Sequence, residues 1–365
     1  MEISVIIPSY NDGALLARCL DSLVPQRLAV DWEVVVALDG SRDGSRELLA
    51  RGRGQSASGP LDSCVEHGAW RGLPLQVVEL ERNGGRSAAR NAALARARGE
   101  WLLFLDADLR VGPDWAARLR AAQAGPEVVA VGEMVYEPRP DLPLDPALLE
   151  ADPLAEACRR AALKPYQRYL ETRGPWKFRD QPRMPARYFY TCNSSVHRSL
   201  LERAGPFDER LIGWGGEDID MGLRLEGAGG WLAPCPGARA LHAQERPFAA
   251  HCANLERLGR EGLGLLVRRH PGLLRDLQLD RLLPAAALGR PRRLLTLAWR
   301  LGLHRRLLRL EALGLPMGER LYDLVVFLHY AGGFRETQGS GAVTGATSRT
   351  FIQDGQQRSR HDDGD

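Results

Sequence analysis

The sequence predicts a doubly wound, mainly parallel α/β sheet with a helical C-terminal extension. Three observations predict it. Short apolar runs alternate with helical patterns at the rhythm of βαβ units. Two of the runs, Trp32–Leu38 and Trp101–Leu105, end abruptly in aspartate. The second, inside GEWLLFLDADL, is apolar throughout with no polar alternation, as expected of a strand buried on both faces.

Taken in order, Ile3–Ile7 is a β-branched strand closed by PSYNDG, where Asn11 or Asp12 can cap a helix carrying Leu15, Leu16, Cys19, Leu20 and Leu23 at helical spacing. Trp32–Leu38 is the second strand, and Asp39-Gly40 opens a turn-rich loop into a helix near 46–51. Residues 52–73 are rich in Gly and Ser and read as a surface insertion. Leu75–Leu80 is a strand, followed by Asn83-Gly84-Gly85-Arg86, an Ala-rich helix over 87–98, and the Trp101–Leu105 strand. Val128–Val135 gives another strand. Residues 137–186 are Pro-rich and irregular, with a helical piece near 153–169, a pattern expected of a lid or binding loop. Residues 187–196 read as a strand, GWGGEDID opens a helix through Leu225, and 229–241 holds a last short strand.

The 365 residues suit a large α/β domain plus an appendage. We expect a domain over 1–256, with halves 1–136 and 137–256, a basic Leu/Arg-rich helical extension over 257–334, and a disordered tail over 335–365 that lacks large apolar residues except Phe351 and Ile352. The net charge of +3 hides a local excess: 257–309 holds thirteen arginines against Glu261, Asp276 and Asp280. Such helices suit peripheral contact with anionic membrane through 257–313, or packing on the chain's own domain or a partner. Nucleic acid is not expected, because no aromatic platform is interleaved with the charges. The six scattered cysteines lack any Cys-x-x-Cys spacing, and no basic, cleavable leader opens the sequence, so a cytoplasmic location is expected.

The chemistry concentrates at strand ends. Asp106 and Asp108, spaced i, i+2, project to one side of an extended chain, at the sheet edge where such folds keep ligands. Their mutual repulsion calls for a cation, and Mg²⁺ or Mn²⁺ carrying a phosphorylated ligand fits carboxylate oxygens; helix capping is the plainer alternative. Asp39 can accept from a base or ribose, or simply form its turn. Gly84-Gly85 lets backbone approach a diphosphate, and Arg86 or Arg90 can pair with phosphate or sit on a helix surface. In GWGGED, three glycines around Trp214 make a loop suited to stacking on a sugar. Glu217 and Asp218 suit general-base work, or favour the helix dipole. His242 after a strand is a further metal-ligand candidate, or structural.

Together SVIIPSYNDGALLARCLDSL, the Asp39-Gly40-Ser41 loop, NGGRSAARNAAL, GEWLLFLDADL and GWGGEDIDMGLRL resemble a family 2 glycosyltransferase over about residues 2–245. GWGGED resembles the catalytic domains of chondroitin polymerases and polypeptide N-acetylgalactosaminyltransferases. The resemblance implies a GT-A fold, a nucleotide-diphosphate-sugar donor, a divalent cation (Mn²⁺ or Mg²⁺), inversion at the anomeric carbon, and a glycan or lipid-linked acceptor. It implies that Pro8 and Tyr10 line the base, and that Asp39 meets the uracil or ribose. Arg86 and Arg90 border the donor, Asp106 contacts ribose or sugar, and Asn193 faces the sugar. Asp108 and His242 hold the metal. Asp218 is the catalytic base, Glu217 orients the acceptor, and Trp214 with Gly215 and Gly216 forms the acceptor platform. A sugar nucleotidyltransferase or a non-catalytic nucleotide-sugar-binding scaffold are the alternatives. The sugar, the linkage and the oligomeric state are not specified by these motifs.

Overall fold

The computed structural model describes residues 1–52, 66–70, 72–138, 145–150, 152–243, 246–279, 301–315 and 317–339. The chain divides into two units, Met1–Arg246 and Pro247–Asp365. The expected tail beyond 339 and the stretch 280–300 of the basic extension lie outside the described residues, as does most of the expected insertion at 52–73.

The first unit is built on one sheet, whose described strands are β1 (Ile3–Ser9), β2 (Trp32–Asp39), β3 (Glu66–Trp70), β4 (Leu73–Leu80), β5 (Trp101–Leu105), β6 (Leu109–Val111), β7 (Val128–Tyr136), β8 (Asn193–His197) and β9 (Trp231–His242). Their spatial order is β3-β4-β2-β1-β5-β8-β7-β9-β6. The sheet is buried on both faces, as the apolar runs predict, and the unit's helices include α2 (Ser45–Gly52), α5 (Pro146–Leu149), α6 (Pro153–Ala162) and α7 (Pro165–Arg173) besides those named next. Ile3, Val5, Ile7, Val34, Val36, Leu103 and Leu105 face a layer containing α1 (Gly13–Leu23) and α4 (Trp115–Ala121). Ile6, Val35, Ala37, Leu102 and Phe104 face the opposite layer, with α3 (Gly85–Leu94), α8 (Arg198–Ala204) and α9 (Glu217–Gly227).

The block β4-β2-β1-β5 runs parallel, with registers such as Val5↔Val34 and Val5↔Leu103. Beyond β5 the sheet becomes mixed: β8 is antiparallel to β5 and β7, while β7 and β9 pair in parallel. The short β6 runs antiparallel to the end of β9 and sets Leu109 opposite His242. That ribbon draws the two halves of the sequence to one edge.

Several boundaries differ from expectation. The strand expected over 187–196 is confined to Asn193–His197; Ala186–Tyr188 is a short 3₁₀ turn. The reason is packing: a Cβ added to Gly222 on α9 would lie 2.2 Å from the Ala186 carbonyl oxygen, so the turn is pressed on the helix instead of pairing in the sheet. Residues 66–70 join the sheet edge against β4. The last strand is twelve residues long, not short. The described part of 137–186 holds more regular structure than its prolines suggest, with helices Pro153–Ala162 and Pro165–Arg173. Buried Arg159 fastens them: it donates to the Tyr136 carbonyl at 2.8 Å and pairs with Glu156 and Glu171.

In the second unit, Phe248–Glu261 runs as one helix through residue 256. Its last described helix, Glu319–Gly339, carries through residues 335–339, which were expected in the tail.

Candidate active site

The site lies along the carboxyl ends of β1, β2 and β5, completed by the head of α9 and the end of β9. At β1, the chain turns through Asn11 at φ 55°, a left-handed conformation that Asn tolerates. Tyr10 is left 46% exposed there and Pro8 half-buried. Of Asn11 and Asp12, either of which was expected to cap the helix, Asp12 holds the capping position, but its side chain makes no capping bond. Its carboxyl is pushed up to about 6, first by burial and then by the charge of Asp108. Asp12 therefore shares the acidic edge with Asp108, which its place in a turn motif did not reveal.

At β2, both oxygens of buried Asp39 accept backbone N–H groups, from Gly84 at 2.7 Å and Gly85 at 2.9 Å. Asp39 thus shapes the glycine turn that opens α3. Burial pushes its carboxyl up, against these two bonds. Gly85 sits at φ 86°, where a Cβ would meet the Ile212 carbonyl oxygen at 3.0 Å. Glycine is required twice over at this position.

Arg90 of α3 is the hub. It is 1% exposed. Nη2 lies 3.2 Å from Asp106 Oδ1, and Nη1 lies 3.2 Å from Glu217 Oε1 and 3.8 Å from Asp218 Oδ1. Burial opposes its charge, but Asp218, Asp106 and Glu217 more than offset that and hold the guanidinium protonated. One cation thus serves three carboxylates: the Arg90 guanidinium, expected to border the donor, has both of its ends engaged by carboxylates.

Asp218 stands in the first turn of α9, with Thr191 Oγ1 donating to its Oδ1 at 2.6 Å. Burial, then the neighbouring Glu217, push its carboxyl well above the usual range; Arg90 and Thr191 pull the other way. Thr191 is a site residue the sequence did not mark, since a lone hydroxyl in a strand-like segment carries no pattern. The preceding loop depends on its glycines: Gly215 and Gly216 have φ 77° and 99°. Trp214 beside them is half-buried.

Asp108 and His242 meet because β6 pairs with β9. Asp108 Oδ2 is 3.4 Å from His242 Nε2. Burial would raise the Asp108 carboxyl, yet His242, Arg86 and Arg246 hold it below the usual range; burial would lower His242, yet Asp108 raises it. Arg86 thus contributes charge to this corner from the first turn of α3. Tyr136 packs edge-on against the His242 ring at 5.4 Å.

Asn193 is a correction. Its Nδ2 donates to the carbonyls of Glu133 and Ala238 at 2.9 and 2.8 Å, and its Oδ1 accepts from Trp115 Nε1 at 2.8 Å. At 1% exposure, it ties β7, β8, β9 and α4 together and does not face a ligand.

Four buried polar atoms at this edge have no partner among the described residues: Arg90 Nε, Asp108 Oδ1, Glu217 Oε2 and His242 Nδ1. Orphaned groups of this kind are costly unless something binds them. Among the described residues no group of three or more His, Cys, Asp or Glu side chains is arranged to hold a metal. The unpartnered Asp108 oxygen beside His242 nevertheless fits a cation that draws its other ligands from phosphate and water.

Comparison with known proteins identifies the family. A profile described as glycosyl transferase family 2 matches residues 4–201, and one described as the N-terminal domain of galactosyltransferase matches 177–244. The validoxylamine A glucosyltransferase of Streptomyces hygroscopicus subsp. jinggangensis is 34% identical over 287 residues, 75% of this chain and 62% of that protein. The chondroitin synthase of Escherichia coli is 29% identical over 257 residues, 67% of this chain and 35% of that one. The chain therefore spans about three fifths of the first relative's length and about a third of the second's. The solved mannosyltransferase PcManGT of Pyrobaculum calidifontis, in complex with GDP-Man and Mn²⁺, aligns over 92% of this chain and 87% of its own. Its TM-score is 0.54 at 20% sequence identity, a likeness of fold, which is GT-A. With the first profile matched across more than half its length, the chain belongs to glycosyl transferase family 2.

Proposed function

We propose that this glycosyltransferase is inverting and metal-dependent, and moves a sugar from a UDP-sugar to a hydroxyl of a glycan or lipid-linked acceptor. The observation that supports this most is Arg90, which joins the strand-end Asp106 to Glu217 and Asp218 of α9. A donor-side carboxylate and an acceptor-side pair are thereby held within one guanidinium's reach. A binding scaffold would not need such an acidic pair at the mouth of a glycine loop.

Residues 1–136 carry the donor half and the rest of the first unit, through Arg246, the acceptor half in this reading. Tyr10 and Pro8 lie against the base, and Asp39 acts by holding the Gly84-Gly85 turn against the diphosphate, with Arg86 alongside. Asp106 contacts the ribose or the sugar. Asp108 and His242 hold the divalent cation, which supplies positive charge for the departing diphosphate.

Asp218 removes the proton from the acceptor hydroxyl as that oxygen bonds to the anomeric carbon, while the bond to the diphosphate oxygen breaks on the opposite face. A carboxyl raised above its usual range is a stronger base once ionised. Thr191, bonded to Oδ1, fixes its rotamer and leaves Oδ2 for the hydroxyl. Trp214 supplies the apolar face on which the acceptor ring stacks, and Glu217 orients it.

The test is direct. UDP-glucose is the first donor to try, given the glucosyl transfer named for the validoxylamine relative. With Mn²⁺ and candidate acceptors it should yield UDP. Pyrophosphate release from a nucleoside triphosphate would instead mark a nucleotidyltransferase, and release of neither product with any donor would overturn the transferase reading of this site.

A further inference from the structure

Residues 281–310 hold eight arginines, eleven leucines and one tryptophan, with no aspartate or glutamate. Within the described part, the helix Leu303–Ala312 arranges these residues in space. His304 is buried and its ring meets His329 of the Glu319–Gly339 helix edge-on at 4.8 Å, which anchors one face. The other face is open: Leu303, Leu310, Leu313 and Leu315 are 37%, 42%, 77% and 52% exposed. Positions 303, 306, 310 and 313 recur at helical spacing, so Arg306 lies within the leucine stripe, with Arg309 beside it and Arg305 next round on the same side.

No described helix is long and apolar enough to cross a membrane. Ten residues of helix span about 15 Å, half of a bilayer's hydrocarbon core. We propose that this stripe lies flat on an anionic lipid bilayer, with the leucines in the acyl boundary and the arginines reaching back to headgroup phosphates. Charge complementarity selects this occupant. A bilayer offers hydrocarbon and anions in one plane, matching leucines interleaved with arginines. Nucleic acid would satisfy the arginines and leave the leucines in water.

The experiment sediments the full chain with phosphatidylcholine vesicles, with and without phosphatidylglycerol, and its readout does not depend on transferase activity. Binding is expected only with phosphatidylglycerol, and is lost in high salt. Leu310→Ser with Leu313→Ser, both at exposed positions, should weaken it by about tenfold or more while the far-ultraviolet circular dichroism is unchanged. Each of Arg305→Ser, Arg306→Ser and Arg309→Ser should cost about fivefold. Equal sedimentation with both vesicle types, none with either, or leucine variants that bind as tightly as the parent would overturn the proposal. So would duplex DNA that binds tightly and displaces the vesicles.

Discussion

Arg90 and Glu217 stand 127 residues apart in the sequence and 3.2 Å apart in the fold, both essentially buried. That contact, with Asp106 on the other guanidinium nitrogen, stitches the nucleotide-side strand ends to the helix that carries the proposed base. Substituting Arg90→Met leaves Glu217 and Asp106 without their cation. Breaking a buried pair by removing one partner typically costs about 3–5 kcal/mol. Urea denaturation should show a loss of that order, and Arg90→Lys should restore only part of it, because an ammonium cannot fork between two carboxylates.

Asp218→Asn removes the proposed base and keeps its shape. Turnover should fall by about 10²–10⁴, while equilibrium binding of the nucleotide donor changes little. Parallel measurement of UDP release and donor affinity checks this, and near-parental turnover would sink the assignment.

The raised carboxyl of Asp218 gives a pH dependence of defined sign. Its ordinary value is 3.8 and the surroundings push it to about 7. The protonated form dominates below that value, so kcat/KM should climb with pH and level off above about 7. Thr191→Val removes a hydrogen bond that favours the carboxylate. The inflection should then move to higher pH, whereas Thr191→Ser should hold it in place. A profile that is flat from pH 5 to 8, on the order of three decades of proton activity, would contradict this.

The Mn²⁺-dependent part of donor binding should require Asp108 and His242 together. Thermal-shift measurements with UDP should show stabilisation that depends on Mn²⁺ in the parent chain. Asp108→Asn and His242→Ala should lose the Mn²⁺ increment, with any Mn²⁺-independent part retained. A double variant no worse than either single one would place both residues in one function.

Gly216→Ala tests the acceptor loop. At φ 99° an alanine is strained by about 1–3 kcal/mol, and the head of α9 must shift to relieve it. The acceptor KM should rise while the donor KM stays close to the parent's.

How much of this was legible in the sequence follows from the range of the forces involved. The buried strands Trp32–Asp39 and Trp101–Leu105 declared themselves because double-sided burial demands unbroken apolar runs. Asp106, Asp108, Glu217 and Asp218 stood out because carboxylates at a strand end or beside glycines are locally unusual. Asn193 misled, since an amide within a strand gives no hint that two carbonyls and an indole will consume it. The reversal of direction at β8 was equally hidden. Register between strands separated by the 137–186 excursion is a tertiary property that no local pattern carries. Arg90 stands out in the sequence, but two of its three carboxylate neighbours, Glu217 and Asp218, come from the far end of the domain and leave no trace within a window of its own sequence.

The β6–β9 ribbon has a consequence for biosynthesis. His242 is the final residue of the final strand, and Asp108 stands immediately before β6, which pairs with that strand's end. A polypeptide still emerging from the ribosome would already contain every donor-side residue from Pro8 to Asp108, yet the corner where Asp108 meets His242 would be open. On the proposed assignment of Asp108 and His242 to the cation, a nascent or clipped chain that stops short of residue 242 should therefore be silent rather than partly active.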